Sequence, residues 1–347
     1  MTPRRSFVSF SRDTSPAVAP NRDRTLRPRV GRAVAPIECR SPAAFSLVEV
    51  LIVTAILSVI ILGLVAMFGQ TQRAFKLGMT QVDVLEGGRM AADLLQRELE
   101  QMTPAYQPGV GRLPNNMPVL QPNFAAYMPD FAPLVQALPG STRQRTNLLY
   151  DVFFVMRRNQ DWVGVGYFVR IANPVTGALS LPAASVPEPT LLAGTLYRFE
   201  TNAPLRSGRT IAQMYYEFSQ ATLHSARASK LLDGVLHLRV SAFNTNGLRI
   251  FYDRGPYGVS ASGTQTNATI ILSDVVPGEV AQYFFLSNAV PASLDVELGV
   301  LEDEAWERYQ ALPDAASRYR YLTNLTGRVH LFYQRVAVRN VDPNAYR

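Results

Sequence analysis

The sequence predicts an α+β fold: one long N-terminal helix, part transmembrane and part amphipathic, whose second half packs on an antiparallel β-sheet. Three observations predict it. Residues 50–69 form an apolar run without a charged residue, and residues 70–102 continue it without a proline. From residue 147 onwards, apolar and polar residues alternate with a period of two, which is typical of strands with one buried face.

The basic charge of the chain is concentrated at its N-terminus. Residues 1–44 contain nine arginines and three acids, a net +6 of the chain's +7, and so the remainder is close to neutral. The single cysteine, Cys39, lies in the same segment. Because residues 1–44 are rich in arginine and proline and poor in large apolar residues, they are predicted to be disordered.

The apolar run is long enough to cross a membrane. It begins at Val50 and ends at Gly69, and a helix rising about 1.5 Å per residue would match a hydrocarbon core of about 30 Å. Because the arginines precede it, the positive-inside rule places residues 1–44 in the cytoplasm and the rest beyond the inner membrane. The sequence therefore predicts a single-pass inner-membrane protein with a cytoplasmic N-terminus.

The second half of the helix is predicted to be amphipathic and to end near Pro104, giving a helix over residues 45–103. Two apolar rows run along it: Leu85, Ala92 and Leu99, and Gly88, Leu95 and Met102. Charged residues occupy the opposite face, which is predicted to be solvated: Glu86, Arg97, Glu98 and Glu100.

The remaining chain is predicted to form a proline-rich loop, residues 104–146, and a β-rich domain, residues 147–347. Strands are predicted at residues 147–157, 163–171, 196–200, 214–219, 235–244, 248–252, 293–301 and 328–338. Residues 302–312 and 313–323 are predicted to be short helices, and the acids of 302–304 would favour the helix dipole, with calcium binding as the alternative.

Glu49 is a lone acid at the start of the apolar run. An acid at the centre of a bilayer costs at least roughly 2.5–3.5 kcal/mol, and less near the interface, so such residues usually have a partner. The pattern alone leaves two interpretations open. Glu49 either marks the membrane boundary or pairs with a charge that the sequence does not identify.

Around Glu49 the chain resembles the type IV prepilin family, which includes the pseudopilins of type II secretion. Ala44, Phe45, three mostly apolar residues, Glu49 and the apolar run fill the places of the family pattern, although glycine is more usual where Ala44 stands. The resemblance implies cleavage between Ala44 and Phe45 by prepilin peptidase and N-methylation of Phe45. Unlike ordinary signal-peptide cleavage, this cut precedes the apolar segment, so the mature protein keeps its anchor.

The resemblance also implies a role for Glu49. Cleavage creates an ammonium group at Phe45, and an isolated charge among packed apolar helices costs several kcal/mol. In the family, the acid pairs with the terminal amine of a neighbouring subunit. Residues 88–99, 165–169 with 196–199, and 290–298 are similar to the minor pseudopilin J and minor pilin W types, which implies a minor subunit.

These features predict an assembly protein and not an enzyme. Its expected partners are other pilins or pseudopilins, prepilin peptidase and the inner membrane, with no cofactor, metal, small-molecule substrate or nucleic acid. The dispersed histidines have no partner at ligand spacing. Two alternatives stay open: a membrane-tethered periplasmic enzyme or binding protein with an uncleaved anchor, and a component of a DNA-uptake pilus.

Overall fold

The computed structural model describes most of the chain after residue 45. The described residues are 46–105, 110–112, 115–116, 118–129, 133–138, 140, 142–173, 175–179, 192–204, 207–250, 270–276 and 280–346. The predicted leader, residues 1–44, and Phe45 lie outside them. The chain divides into two compact units, Met1–Leu64 and Val65–Arg347.

The first element is a helix, α1, that runs from Leu47 to Leu99. It is long and apolar enough to cross a membrane by its length and composition. Large apolar side chains are exposed throughout its first half, whereas side chains on one face of its last four turns are buried. The long N-terminal helix predicted from the sequence is confirmed.

A nine-stranded antiparallel sheet forms the centre of the second unit. Its strands are β3 (Pro122–Tyr127), β6 (Asp151–Arg158), β7 (Asp161–Arg170), β8 (Gly194–Ala203), β9 (Ser229–Phe243), β10 (Ile270–Val276), β11 (Val280–Leu286), β12 (Ser293–Leu301) and β13 (Val329–Ala337). Their spatial order is β10-β11-β3-β6-β7-β8-β9-β12-β13. Two small hairpins lie outside the sheet: β1 (Val110–Arg112) with β2 (Pro118–Leu120), and β4 (Leu134–Ala137) with β5 (Gln144–Asn147).

Helices cover both faces of this sheet. The second half of α1 packs with apolar side chains from β6, β7, β9 and β12 in one core. The helix α2 (Ile211–Ala221) packs on the opposite face, where Phe218 contacts the rings of Phe153, Phe168 and Phe199. Gly166 makes room for Phe218, because a Cβ there would lie 2.2 Å from that ring. Two further helices, α3 (Asp303–Ala311) and α4 (Ala315–Thr323), pack with Leu236 of β9.

The predicted strand at residues 214–219 is wrong, because this segment lies in α2. Its aromatic residues favour a strand, but two stronger signals favour a helix. Thr210 and Gln213 form a capping box at the helix start. Ile211, Met214 and Phe218 recur at helical spacing, and all three are buried.

The predicted loop at residues 104–146 is also wrong in part, because strands β1 to β4 and most of β5 lie within it. Pro118 and Pro122 each begin a strand, where the missing N–H is tolerated. The strand β3 then enters the middle of the main sheet between β11 and β6. Because the segment is rich in proline, its composition predicts a loop, and these strands were therefore not predicted.

The other predicted elements agree more closely. The strands at 163–171, 196–200, 293–301 and 328–338 and the two short helices are found with boundary shifts of at most three residues, whereas the strand predicted at 235–244 begins six residues earlier, at Ser229. The predicted strand at 147–157 instead holds the end of β5 and most of β6, separated at residues 148–150. Residues 248–250 form a single bridge between Arg249 and Phe243 and not a strand, and residues 251 and 252 lie outside the described residues.

Candidate processing and assembly site

The first turn of α1 holds the candidate assembly residue, Glu49. Ser46 precedes the helix, and its Oγ and its carbonyl oxygen accept from the Glu49 N–H at 3.2 and 3.0 Å. Ser46 therefore acts as the N-cap and places the Glu49 carboxylate in the first turn, where the helix dipole favours a negative charge. The Glu49 side chain is exposed, and none of the described residues forms an ion pair with it.

The surface of α1 after Glu49 is suited to the hydrocarbon core of a membrane. Between Val50 and Gly69 every residue is exposed, and the large side chains are aliphatic apart from Met67 and Phe68. The two hydroxyls in this run are satisfied internally: Thr54 donates to the Leu51 carbonyl at 3.0 Å and Ser58 donates to the Thr54 carbonyl at 2.8 Å. No hydroxyl in this segment therefore needs water, as a lipid environment requires.

The second half of α1 docks on the sheet along one apolar row. The buried members of this row are Val84, Gly88, Ala91, Leu95, Leu99 and Met102. The prediction that Leu85 belongs to this row is wrong, since its side chain is 44% exposed. Residues spaced by seven do not stay on one face of an α-helix, because seven residues are slightly less than two full turns. The buried row therefore begins at Val84 and not at Leu85. Gly88 permits close approach, because a Cβ there would lie 2.2 Å from the Phe332 ring of β13.

A charged network beneath α1 was missed by the sequence prediction. Glu98 was predicted to be solvated, but it is buried and faces β7 and β8. Its Oε1 accepts from Arg198 Nη2 at 2.6 Å and its Oε2 accepts from Arg198 Nε at 3.1 Å, while Tyr167 also donates to Oε2. Burial, reinforced by the nearby Glu98 charge, raises the pKa of Tyr167, so the phenol stays protonated as a donor.

The network continues to the protein surface through β8. Arg198 also donates to Glu200, which pairs with Arg158 at 2.9 Å. Burial opposes the charge of Glu200, but hydrogen bonds from Arg198 and the charges of both arginines outweigh burial and lower its pKa. One signal for this network was present in the sequence. Arg198 lies two positions after Leu196 on a predicted strand, so the two side chains share the face that packs against α1.

Polar contacts also hold the end of α1 at the β13 side of the sheet. Gln334 donates to Asp93 at 2.9 Å, and Arg339 pairs with Glu100 at 3.0 Å. Asn340 donates to the Thr103 hydroxyl at 2.9 Å. The docked half of α1 is therefore held by an apolar row, a buried ion pair and several edge contacts.

Residues 39–65 match the prokaryotic N-terminal methylation motif. The match includes Ala44, Phe45 and Glu49 and most of the apolar run. No curated protein and no solved structure matches the chain significantly. Together with α1, the motif supports a type IV pilin-like family and a membrane-anchored, single-pass chain, and it suggests processing by prepilin peptidase and assembly with other pilin subunits.

The predicted site residues differ in what the structure describes of them. Glu49, Val50 and Gly69 lie on α1 as described above, whereas Ala44 and Phe45 lie outside the described residues. Among the described residues no group of three or more histidine, cysteine, aspartate or glutamate side chains could hold a metal ion. This finding includes the acids at the start of α3, which were the candidate calcium ligands.

Two buried polar groups in the body have structural partners. His237 Nδ1 accepts from the Leu148 N–H at 3.1 Å, and its Nε2 lies 3.4 Å from Glu297. Burial lowers the pKa of His237, which favours the neutral ring that this acceptor role requires. Arg170 donates to both oxygens of Asp151 at 2.9 and 2.5 Å, and burial raises the pKa of Asp151 despite this pairing. Both groups connect strands within the fold.

Proposed function

We propose that this chain is a minor pilin or pseudopilin, similar to the J or W type, that assembles into a type IV pilus or a type II secretion pseudopilus. The observation that carries the proposal is the methylation motif at the start of a helix with two different halves. The first half is apolar on every side, and the second half is docked on a sheet. A membrane-tethered enzyme with an uncleaved anchor has no comparable support.

The proposal assigns a task to each segment of the chain. Residues 1–44 form a basic cytoplasmic leader that prepilin peptidase removes between Ala44 and Phe45, after which Phe45 is methylated. The helix keeps its apolar run, residues 50–69, in the inner membrane until assembly. The β-rich body, which includes residues 147–347, then lies in the periplasm or in the fibre. The near-neutral charge after residue 44 favours protein partners over nucleic acid.

Glu49 supplies the charge that assembly requires. Removal of the leader leaves an ammonium group at Phe45, four residues before Glu49 in the sequence. When apolar helices pack side by side, both groups leave water, and each alone would cost several kcal/mol. Pairing Glu49 with the Phe45 amine of a neighbouring subunit cancels both charges. It also fixes the axial register between the two helices.

Glu49→Ala is expected to lower recruitment into the fibre without impairing membrane insertion. The neighbour's buried ammonium loses its partner, which costs about 3–5 kcal/mol, so co-purification with partner pilins should fall at least about tenfold. Glu49→Asp retains the charge with a shorter reach and should be partly defective. Asp83→Ala, which removes another exposed acid of α1 outside the first turn, is the control. Normal recruitment of Glu49→Ala beside a normal control would contradict the proposed role.

A further inference from the structure

The strand β13 is the last strand of the nine-stranded sheet, and its outer edge pairs with none of the described strands. Its inner edge pairs with β12 over nine residues, from Ser293 opposite Ala337 to Leu301 opposite Val329, without a register shift. Proteins usually protect such edges with proline, lysine, a bulge or a very short strand. β13 has no proline, lysine or bulge: it is nine residues long, regular and rich in apolar and aromatic residues, and the charge of Arg335 is paired with Asp295 of β12.

The hydrogen bonds at the two ends of β13 show which backbone groups face outward. The Glu302 N–H donates to the Arg328 carbonyl at 3.2 Å, and the Val338 N–H donates to the Ala292 carbonyl at 3.0 Å. Hydrogen-bonded pairs alternate along an antiparallel ladder, so the even-numbered residues of β13 bond to β12. The N–H and C=O groups of Leu331, Tyr333, Arg335 and Ala337 therefore point away from the sheet, as a row of donors and acceptors.

An apolar groove runs beside this edge on the α1 side. It encloses about 870 Å³ and is bounded by residues 331–334 and by one flank of α1. The flank carries Val82, Leu85 and Met90, whose side chains are exposed, together with Glu86 and Arg89. The contact of Gly88 with Phe332 and the hydrogen bond of Gln334 to Asp93 connect the two walls. A strand added to β13 would place alternate side chains against this flank.

We propose that β13 and the adjacent flank of α1 form a docking site for an extended segment of another protein, which adds a tenth strand to the sheet. The outward backbone groups require a strand, because a helix has already used its own donors and acceptors. The flank requires apolar side chains at alternate positions of that strand. The occupant is thus a segment of about six to nine residues with alternating apolar and polar side chains and without proline at the bonding positions.

A second copy of this chain is a poorer occupant. Antiparallel pairing of two β13 strands about a two-fold axis normal to the sheet would run the two copies of α1 in opposite directions. Under the proposed function both copies are anchored in one membrane and point the same way. The choice of another protein as the occupant therefore rests on the proposed function. The exposed edge of β13 and the groove beside it are observed independently of that function.

A synthetic peptide that copies β12, Ser293–Leu301, is a suitable probe because it has the length and the alternation of apolar and polar residues that the site requires. Its residues Leu294, Val296 and Leu298 share one face, and its polar residues share the other. We expect saturable binding of the fluorescein-labelled peptide to the full chain in detergent micelles, measured by fluorescence anisotropy. Tyr333→Pro deletes one outward N–H and should weaken binding at least about tenfold, whereas the matched Tyr333→Ala should change it less than about threefold.

Two N-methylated peptides keep the test valid if Tyr333→Pro fails to fold. One carries N-methyl groups at odd-numbered positions and the other at even-numbered positions, and only one set can face β13. We expect one peptide to lose binding and the other to retain it. Absence of saturable binding of the parent peptide, or equal binding of both methylated forms, would overturn the proposal.

The oligomeric state of the chain separates the two possible occupants. If the chain without peptide self-associates, and Tyr333→Pro but not Tyr333→Ala abolishes this, the edge belongs to a second copy and the proposed occupant is wrong. A monomeric chain that binds the peptide supports the proposal. None of these measurements depends on leader cleavage, so a failure here is distinguishable from a failure of the proposed function.

Discussion

Leu95→Asp is expected to unfold the body of the protein. Leu95 has 0% exposure in the centre of the row that docks α1 on the sheet. Loss of a buried leucine costs about 2–5 kcal/mol, and a buried carboxylate without a partner adds a further cost. Their sum is comparable to the whole stability of a domain, about 5–15 kcal/mol. Urea unfolding of the detergent-solubilised chain, followed by near-ultraviolet circular dichroism, would measure the change.

Leu85→Asp provides the matched control because the residue type, the substitution and the helix are the same. Leu85 lies on the exposed flank of α1, so the same change should cost less than about 1 kcal/mol. An intact near-ultraviolet spectrum and normal unfolding midpoint for Leu95→Asp would show that α1 does not dock through this row.

Arg198→Ala is expected to destabilise the body by about 3–5 kcal/mol, because it leaves the buried Glu98 carboxylate without its counter-ion. The Tyr167 hydroxyl remains as a donor but carries no charge. The unfolding midpoint in urea should therefore fall strongly.

Two comparisons identify the buried pair as the cause. Arg158→Ala removes an arginine of the same network whose side chain is 52% exposed, and should cost about 0–1 kcal/mol. The double variant Glu98→Leu with Arg198→Met replaces both charges by apolar groups and should recover much of the loss. A loss in Arg198→Ala no larger than in Arg158→Ala would show that Glu98 is effectively solvated.

The helix α1 and the C-terminal strands could be predicted because the spacing of their apolar residues fits only one kind of secondary structure. A largely apolar run of twenty uncharged residues that leads into a proline-free amphipathic segment predicts α1, and alternation of apolar and polar residues predicts β12. The segment of α2 is ambiguous because aromatic residues suit both a helix and a strand, and its capping box decides the outcome. β3 could not be predicted because its place depends on the distant strands β6 and β11.

The candidate site shows the same division between local and distant information. The position of Glu49 in the first turn of a helix follows from neighbouring residues, and the structure describes it there. The burial of Glu98 depends on Arg198, which lies one hundred positions further along the chain. The α1 pattern alone places Glu98 among other charged residues, so its burial becomes visible only when strand β8 is packed beneath it.

The mass of the mature protein tests the central claim most directly. Intact-mass analysis and N-terminal sequencing of the membrane-extracted chain, from cells with active prepilin peptidase, should find that residues 1–44 are absent and that the first residue is N-methylated Phe45. The apolar run from Val50 to Gly69 should remain in the same species. A mature chain that retains residues 1–44, or one cleaved after Gly69, would contradict the account.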